Sequence, residues 1–300
     1  MIIKYFRTLF LILSGFFIFA FFPACERDRV LVIDQAQGEI NRIISAAPSN
    51  TEIIVGLGMA DRLVAVDRYS RGIPGVPAGL PEIDFFFPDV EAIIGLEPDL
   101  IFFNEINTLG VANNPFRFLG DLGLRVVQVP TSISIEGIYS DIILVAEALE
   151  IPERGEALVE TMRKEIERMT SGTGVARSSV FFEISSSPSL ITFGQGTYLN
   201  EMIEIAGGRN IFADESGWFS PSAEEIINRN PDIIFVMLYP GEDPVTEIKN
   251  RRAFQDITAV RESRIYAIDA DSASRPSQNI LLAFQQIAQA LNQTSLEVAP

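Results

Sequence analysis

Histidine is absent from this chain of 300 residues, and cysteine occurs once, at Cys25. Without imidazole there is no Ser-His-Asp or Cys-His catalysis, and no His-containing site for zinc, manganese or copper. A metal handled by such a chain arrives already chelated, and no resident cofactor is expected. Positive charge is also scarce: 23 Lys and Arg stand against 40 Asp and Glu, a formal net charge of −17. That balance argues against nucleic acid or an anionic lipid surface as a partner. Gly56-x-Gly58 and Gly194-x-Gly196 lack the third glycine of a dinucleotide fingerprint and read as turns. Asp269-Ala270-Asp271-Ser272 resembles the start of a calcium loop. Its sixth position is Ser274 rather than Gly and its twelfth is Ile280 rather than Glu, so that reading fails. Low-complexity linkers are missing too, and Trp218 is the single tryptophan.

What is present begins with a leader. Residues 1–24 hold Lys4 and Arg7, no acid, and an apolar run from Leu9 to Phe22, the pattern of a secretory signal peptide. Ala24 precedes Cys25, which predicts cleavage there and a lipidated first residue; Phe22 stands where Leu is usual. The alternative is an uncleaved anchor helix, for which the run is somewhat short. On either reading the folded part is extracytoplasmic; on the first it is lipid-anchored to a membrane, and loss of the leader takes the net charge from −17 to −19.

Two segments repeat. Pro88-x-x-Glu91-x-Ile93-Ile94-x-x-x-Pro98-Asp99-Leu100-Ile101-Phe102 is matched by Pro221-x-x-Glu224-x-Ile226-Ile227-x-x-x-Pro231-Asp232-Ile233-Ile234-Phe235. Eight of these fifteen positions are identical, where average residue usage gives roughly one. Two copies of a helix–strand unit imply two similar lobes and a cleft between them. Strand and helix alternate, so each lobe is expected to be α/β with a mostly parallel central sheet. Short strands are expected at Arg29–Ile33 and in Gly38–Ala46, around a Gln35–Gly38 turn. A helix follows, with Ser49 or Asn50 as cap and Glu52 complementing its dipole. Pro88 is expected at the first position of its own helix. Pro152–Met169 reads as one long amphipathic helix, about 27 Å at 1.5 Å per residue, enough to join the lobes. The domain reading is a signal peptide at 1–24 and a lipidated N-terminus with the start of the first strands at 25–34. An N-terminal lobe at 35–150, a connecting helix at 151–172 and a C-terminal lobe at 173–300 follow. A helical connector implies modest opening rather than a wide hinge.

In open α/β sheets ligands sit beyond the carboxyl ends of the strands. The loops expected there carry Asn50, Arg68, Tyr69, Arg71, Asn104, Tyr239 and Arg275. Phe85 and Trp218 precede their helices at equivalent places and are expected to press on opposite faces of one bulky ligand. Glu91 and Glu224 occupy the same turn of the two repeated helices. Either they complement the helix dipoles, or they are matched contacts to arginines of a two-fold symmetric partner.

Arg42-Ile43-Ile44-Ser45-Ala46-Ala47-Pro48-Ser49-Asn50-Thr51-Glu52, the Pro88–Glu91 and Pro98–Leu100 stretches, and Ala206-Gly207-Gly208-Arg209-Asn210-Ile211-Phe212 together resemble the substrate-binding proteins of ABC importers for ferric siderophores and cobalamin. The resemblance spans residues 29–292 and departs at Phe87, where the family usually carries an Asn cap. It implies two α/β lobes joined by one long helix, with the ligand between them and no enzymatic activity. It also implies that Glu91 and Glu224 dock onto arginines of a permease homodimer with its ATPase. Tyr69, Phe85 and Trp218 match positions where cobalamin-binding members place pocket aromatics. For the ligand the arginines favour a ferric siderophore, with a corrinoid or haem close behind. A carboxylate-dependent hydrolase and a structural or adhesive lipoprotein are the rival readings.

Overall fold

The computed structural model describes residues 32–33, 39–84, 86–108, 114–171 and 178–298. Strands β1 (Val32–Ile33), β2 (Ile43–Ser45), β3 (Leu63–Asp67), β4 (Glu82–Ile83), β5 (Leu100–Asn104) and β6 (Val126–Val129) form one sheet in the order β1-β6-β5-β2-β3-β4. Every neighbour pair is parallel except β1 with β6. The two N-terminal strands therefore do not pair with each other: β1 lies at the far edge, and the expected turn between them falls outside the described residues. Helices α1 (Pro48–Gly56) and α4 (Ile135–Ala148) cover one face. The other face carries α2 (Val90–Gly95) and α3 (Pro115–Asp121).

Past the connecting helix α5 (Pro152–Thr170) the pattern restarts. Strands β7 (Ser179–Glu183), β9 (Arg209–Asn210), β11 (Ile233–Leu238) and β12 (Ile265–Asp269) make a parallel sheet in the order β12-β11-β7-β9. The short β8 (Thr192–Phe193) and β10 (Trp218–Phe219) pair antiparallel beside it. Helices α6 (Tyr198–Ile205), α10 (Ala270–Ser274) and α11 (Ile280–Val298) cover one face, and α7 (Ala223–Arg229), α8 (Pro244–Asn250) and α9 (Thr258–Arg261) the other. The strands β5 and β7 are buried along their whole length, as expected where helices cover both faces of a parallel sheet.

Alternating residues of each strand feed different cores. Ile44, Ile101 and Phe103 pack with Ile93 and Phe116 on the α2–α3 face. Phe181, Ile234 and Val236 pack with Ile226 and Ile248 on the α7–α8 face. The opposite faces do not form two further cores. Ile43, Phe102, Ile138 and Ile142 of the first lobe share one continuous cluster with Phe182, Phe235, Ala283 and Phe284 of the second. Met162, fully buried in the middle of α5, belongs to the same cluster. The helix α5 runs close against α4 because residue 155 is glycine, where a Cβ would come 2.6 Å from the Cβ of Ala146.

Three helix starts differ from the sequence expectation. Ala47 is the N-cap of α1 and offers no side-chain bond; Pro48 takes the first turn, and Ser49 and Asn50 lie inside the helix, buried. Pro88 sits one residue outside α2, whose cap is Asp89 accepting from Ala92 N at 3.1 Å. Asp269–Arg275 is not a loop: Asp269 caps α10 by accepting from Ser272 N at 2.8 Å.

Asp141 on α4 is buried, with a hydrogen bond from Ser132 Oγ at 2.5 Å. Burial outweighs that bond and pushes its carboxyl up to about 7. The folded state thus keeps a proton that the unfolded chain releases near pH 4. The associated stability is full below that value and is lost as pH rises through about 7. The interval corresponds to up to about 4 kcal/mol. Asp141→Asn is expected to flatten the dependence, raising Tm over the parent most at about pH 8 and not at all near pH 4. Calorimetry across that range checks this, and an undiminished slope in the variant would assign it to another group.

Candidate functional site

The repeat folds into two equivalent units. In the first, Pro88 is buried, Asp89 caps α2, and Glu91 is its second residue, exposed. In the second, Pro221 is buried, Ser222 caps α7 through a capping box with Glu225, and Glu224 is its second residue, exposed. Neither Glu91 nor Glu224 forms a hydrogen bond or ion pair among the described residues, whereas Glu225 accepts from Ser222 N at 2.8 Å. The aspartates of the repeat match as well. Asp99 Oδ2 accepts from Arg42 N at 2.8 Å at the start of β2. Asp232 Oδ2 accepts from Ser179 N at 2.8 Å at the start of β7. Each lobe thus presents one unpartnered carboxylate on a helix N-terminus, where the dipole favours negative charge.

Between the lobes lies a cavity of about 520 Å³. Glu52, Ile73 and Pro74 come from the first lobe, Leu158 and Thr161 from α5, and Asp269, Asp271, Arg275, Gln278 and Leu282 from the second. Its polar centre is an ion pair that sequence reading missed. Arg275 Nη1 donates to Glu52 Oε1 at 3.0 Å, across 223 residues of chain. Arg275 Nη2 also reaches Asp271 Oδ1 at 2.7 Å. The second oxygen of Glu52 accepts from the Ser277 hydroxyl, and its carbonyl accepts from Gln278 Nε2 at 2.8 Å. The Glu52 side chain is only 4% exposed. Burial raises its carboxyl above the ordinary range, opposed by the bonds from Ser277 and Arg275. The dipole role expected for Glu52 is not what the structure shows: Glu52 is the fifth residue of α1, beyond the first turn, and makes a lobe-to-lobe contact. A second tie lies at α4, where Glu201 of α6 accepts from Ile135 N at 2.8 Å.

The described aromatic candidates are partly exposed. Trp218 on β10 meets the buried Phe193 ring edge-on at 5.6 Å and remains 49% exposed. Gly194 allows this approach of chains, since a Cβ there would lie 2.2 Å from Glu215 O. Tyr69 is 52% exposed. Its turn is fixed by the buried Asp67, which accepts from Tyr69 N at 2.8 Å and also takes the Ser70 hydroxyl. Ser70 Oγ in turn meets Thr51 Oγ1 at 2.8 Å, tying the turn to α1. Tyr239 lines a second cavity of about 430 Å³ at the carboxyl ends of β7 and β11, with Glu183, Glu242, Asp243 and Glu247. Phe85 and Cys25 lie outside the described residues.

The remaining candidates are engaged elsewhere. Arg71 pairs with Glu82 and Arg68 with Asp84, all within the first lobe. Asn104 is buried, donating to Pro130 O at 3.4 Å and accepting from Thr131 Oγ1 at 2.5 Å, which ties β5 to the loop after β6. Asn50 is fully buried, and its amide meets no protein hydrogen-bond partner. Of the proposed ligand residues that are described, only Arg275 lines the inter-lobe cavity.

Comparison with known proteins fits this geometry. Residues 43–272 match the model of a periplasmic binding protein family. The vitamin B12-binding protein of Vibrio cholerae serotype O1 is 30% identical over 252 residues, covering 82% of this chain and 87% of that protein. A Bacillus subtilis protein named "uncharacterized ABC transporter substrate-binding lipoprotein YvrC" is 28% identical over 260 residues, covering 84% of this chain and 80% of the other. A Staphylococcus epidermidis structure described as a possible iron-binding (periplasmic solute-binding) protein superposes with a TM-score of 0.75 at 31% identity, covering 85% and 99% of the two chains. The chain belongs to the periplasmic binding protein family and is an extracytoplasmic substrate-binding protein of the ABC-transporter type.

Proposed function

We propose that the protein captures a corrinoid between its lobes and delivers it to a two-fold symmetric permease driven by an ATPase. Cys25 carries the lipid that keeps it at the membrane, and the protein itself performs no chemistry. The observation that carries the docking half is the pair of exposed, unpartnered carboxylates at the second residue of α2 and α7. A symmetric partner offering one arginine per subunit meets such a pair with two charge-assisted contacts. The corrinoid half rests on open aromatic rings at Trp218, Tyr69 and Tyr239, which suit the broad apolar face of a macrocycle. It is also supported by the likeness to a vitamin B12-binding protein. Sequence alone leaned to a ferric siderophore because Arg68, Arg71 and Arg275 were read as available; all three are paired. The iron-chelate reading keeps the support of the Staphylococcus epidermidis neighbour and is the competing arm of the test.

Trp218 is the single tryptophan, so any change in emission on ligand binding is assigned to that ring. Cobalamin is expected to quench it at sub-micromolar concentration, and Trp218→Ala to weaken binding by roughly tenfold or more. Quenching by ferric siderophores instead would select the iron reading, and none by either class would remove the ring from the site. For docking, Glu91→Arg combined with Glu224→Arg is expected to abolish uptake while the Kd for ligand stays within about twofold, because both residues lie on the outer helices. A collapse of ligand affinity in that variant would place the carboxylates in the binding site and end the docking assignment.

A further inference from the structure

Resting on the reading that the chelate sits between the lobes, we propose that Glu52 sets the charge class of the ligand. It does so by engaging Arg275, so that the cavity takes neutral or cationic chelates and refuses anionic ones. Arg275 is the one cationic side chain among the residues lining the inter-lobe cavity. Both of its terminal nitrogens are committed: Nη1 to Glu52 at 3.0 Å, and Nη2 to Asp271 at 2.7 Å with the Tyr69 carbonyl at 3.5 Å. Glu52 is held from its other side as well, where its second carboxylate oxygen accepts from the Ser277 hydroxyl.

An anionic ligand that recruited Arg275 would leave the Glu52 carboxylate buried and uncompensated, the expensive outcome for an ion pair of this kind. Exposed pairs exert no such restraint; the restraint here comes from the burial of the Glu52 side chain, which is only 4% exposed. The surroundings act in the same direction. Asp269 and Asp271 also line the inter-lobe cavity. Glu183, Glu242, Asp243 and Glu247 line the neighbouring one at the strand ends. Arg251, held by Glu183 at 2.6 Å and by Glu247, offsets one of these four charges and leaves the cluster net negative. Like-charge juxtaposition is how a site rejects a wrong partner without losing the right one. For a neutral chelate the same cavity offers apolar wall at Ile73, Pro74, Leu158 and Leu282.

The test compares cyanocobalamin, which is neutral, with an anionic ferric tris-catecholate by equilibrium dialysis. The readout is the ratio of their affinities in the parent and in Glu52→Gln/Asp271→Asn. The parent is expected to favour the corrinoid, and the double variant to shift the ratio toward the tris-catecholate by at least about tenfold, equivalent to one decade of Kd. If the double variant does not fold, Asp271→Asn alone, a change at a largely exposed carboxylate, is expected to shift it by about threefold. A folded variant with an unchanged ratio overturns the assignment, as does a parent that binds the tris-catecholate as tightly as the variant does. Failure of the parent to bind either chelate would instead overturn the functional reading on which this one stands.

Discussion

The apolar seam along α5 is the constraint on which the rest of the molecule depends. Two α/β lobes with separate cores would be free to reorient, since inter-domain contacts are ordinarily small and polar. Here the α4 face of one sheet and the α11 face of the other drain into a single buried cluster that includes Met162 in the middle of the connecting helix. Separating the lobes means exposing that cluster, at about 25 cal/mol for each Å² of apolar surface. The buried Glu52–Arg275 pair and the Glu201 contact to the α4 N-terminus add directional ties across the same seam. Motion between the lobes is therefore limited to small adjustments around α5, and the cleft is largely formed before any ligand arrives.

Much of this was legible in the chain itself. The Pro-x-x-Glu and Pro-Asp repeat announced two lobes, and Asp99 and Asp232 show why both copies keep the aspartate: each anchors the first amide of a neighbouring strand. Buried strands such as β5 and β11 and the long α5 were visible as apolar runs and a 3.6-residue stripe. What was not legible involves partners distant in sequence. Glu52 looks like any acid in a first helical turn, and nothing local says that its guanidinium lies 223 residues away. The same applies to the arginines: Arg68 and Arg71 read as free cleft cations until Asp84 and Glu82 are seen beside them. The pairing of β8 with β10, two residues each, is too short to carry a periodic signal, yet it is what presents Trp218.

The seam also bears on the docking role proposed for two single carboxylates in a chain of net charge −17. An exposed ion pair is worth little by itself, because it is screened and because two mobile side chains must be immobilised. Glu91 and Glu224 reduce the second cost by standing in the first turn of short helices packed on their sheets through Ile93 and Ile226. They reduce it further by belonging to lobes whose separation the buried cluster fixes. A partner with two-fold symmetry then meets a pair of charges at one set distance, and binding both at once gains from the high effective concentration of the second contact. Other carboxylates in the same turns lack this property. Glu225 is locked in its capping box and Asp89 in its cap, so the freedom of Glu91 and Glu224 is selective within each helix. The lobe seam thus fixes the separation at which the repeat presents its two unpartnered carboxylates, which is what the proposed docking requires of the core beneath them.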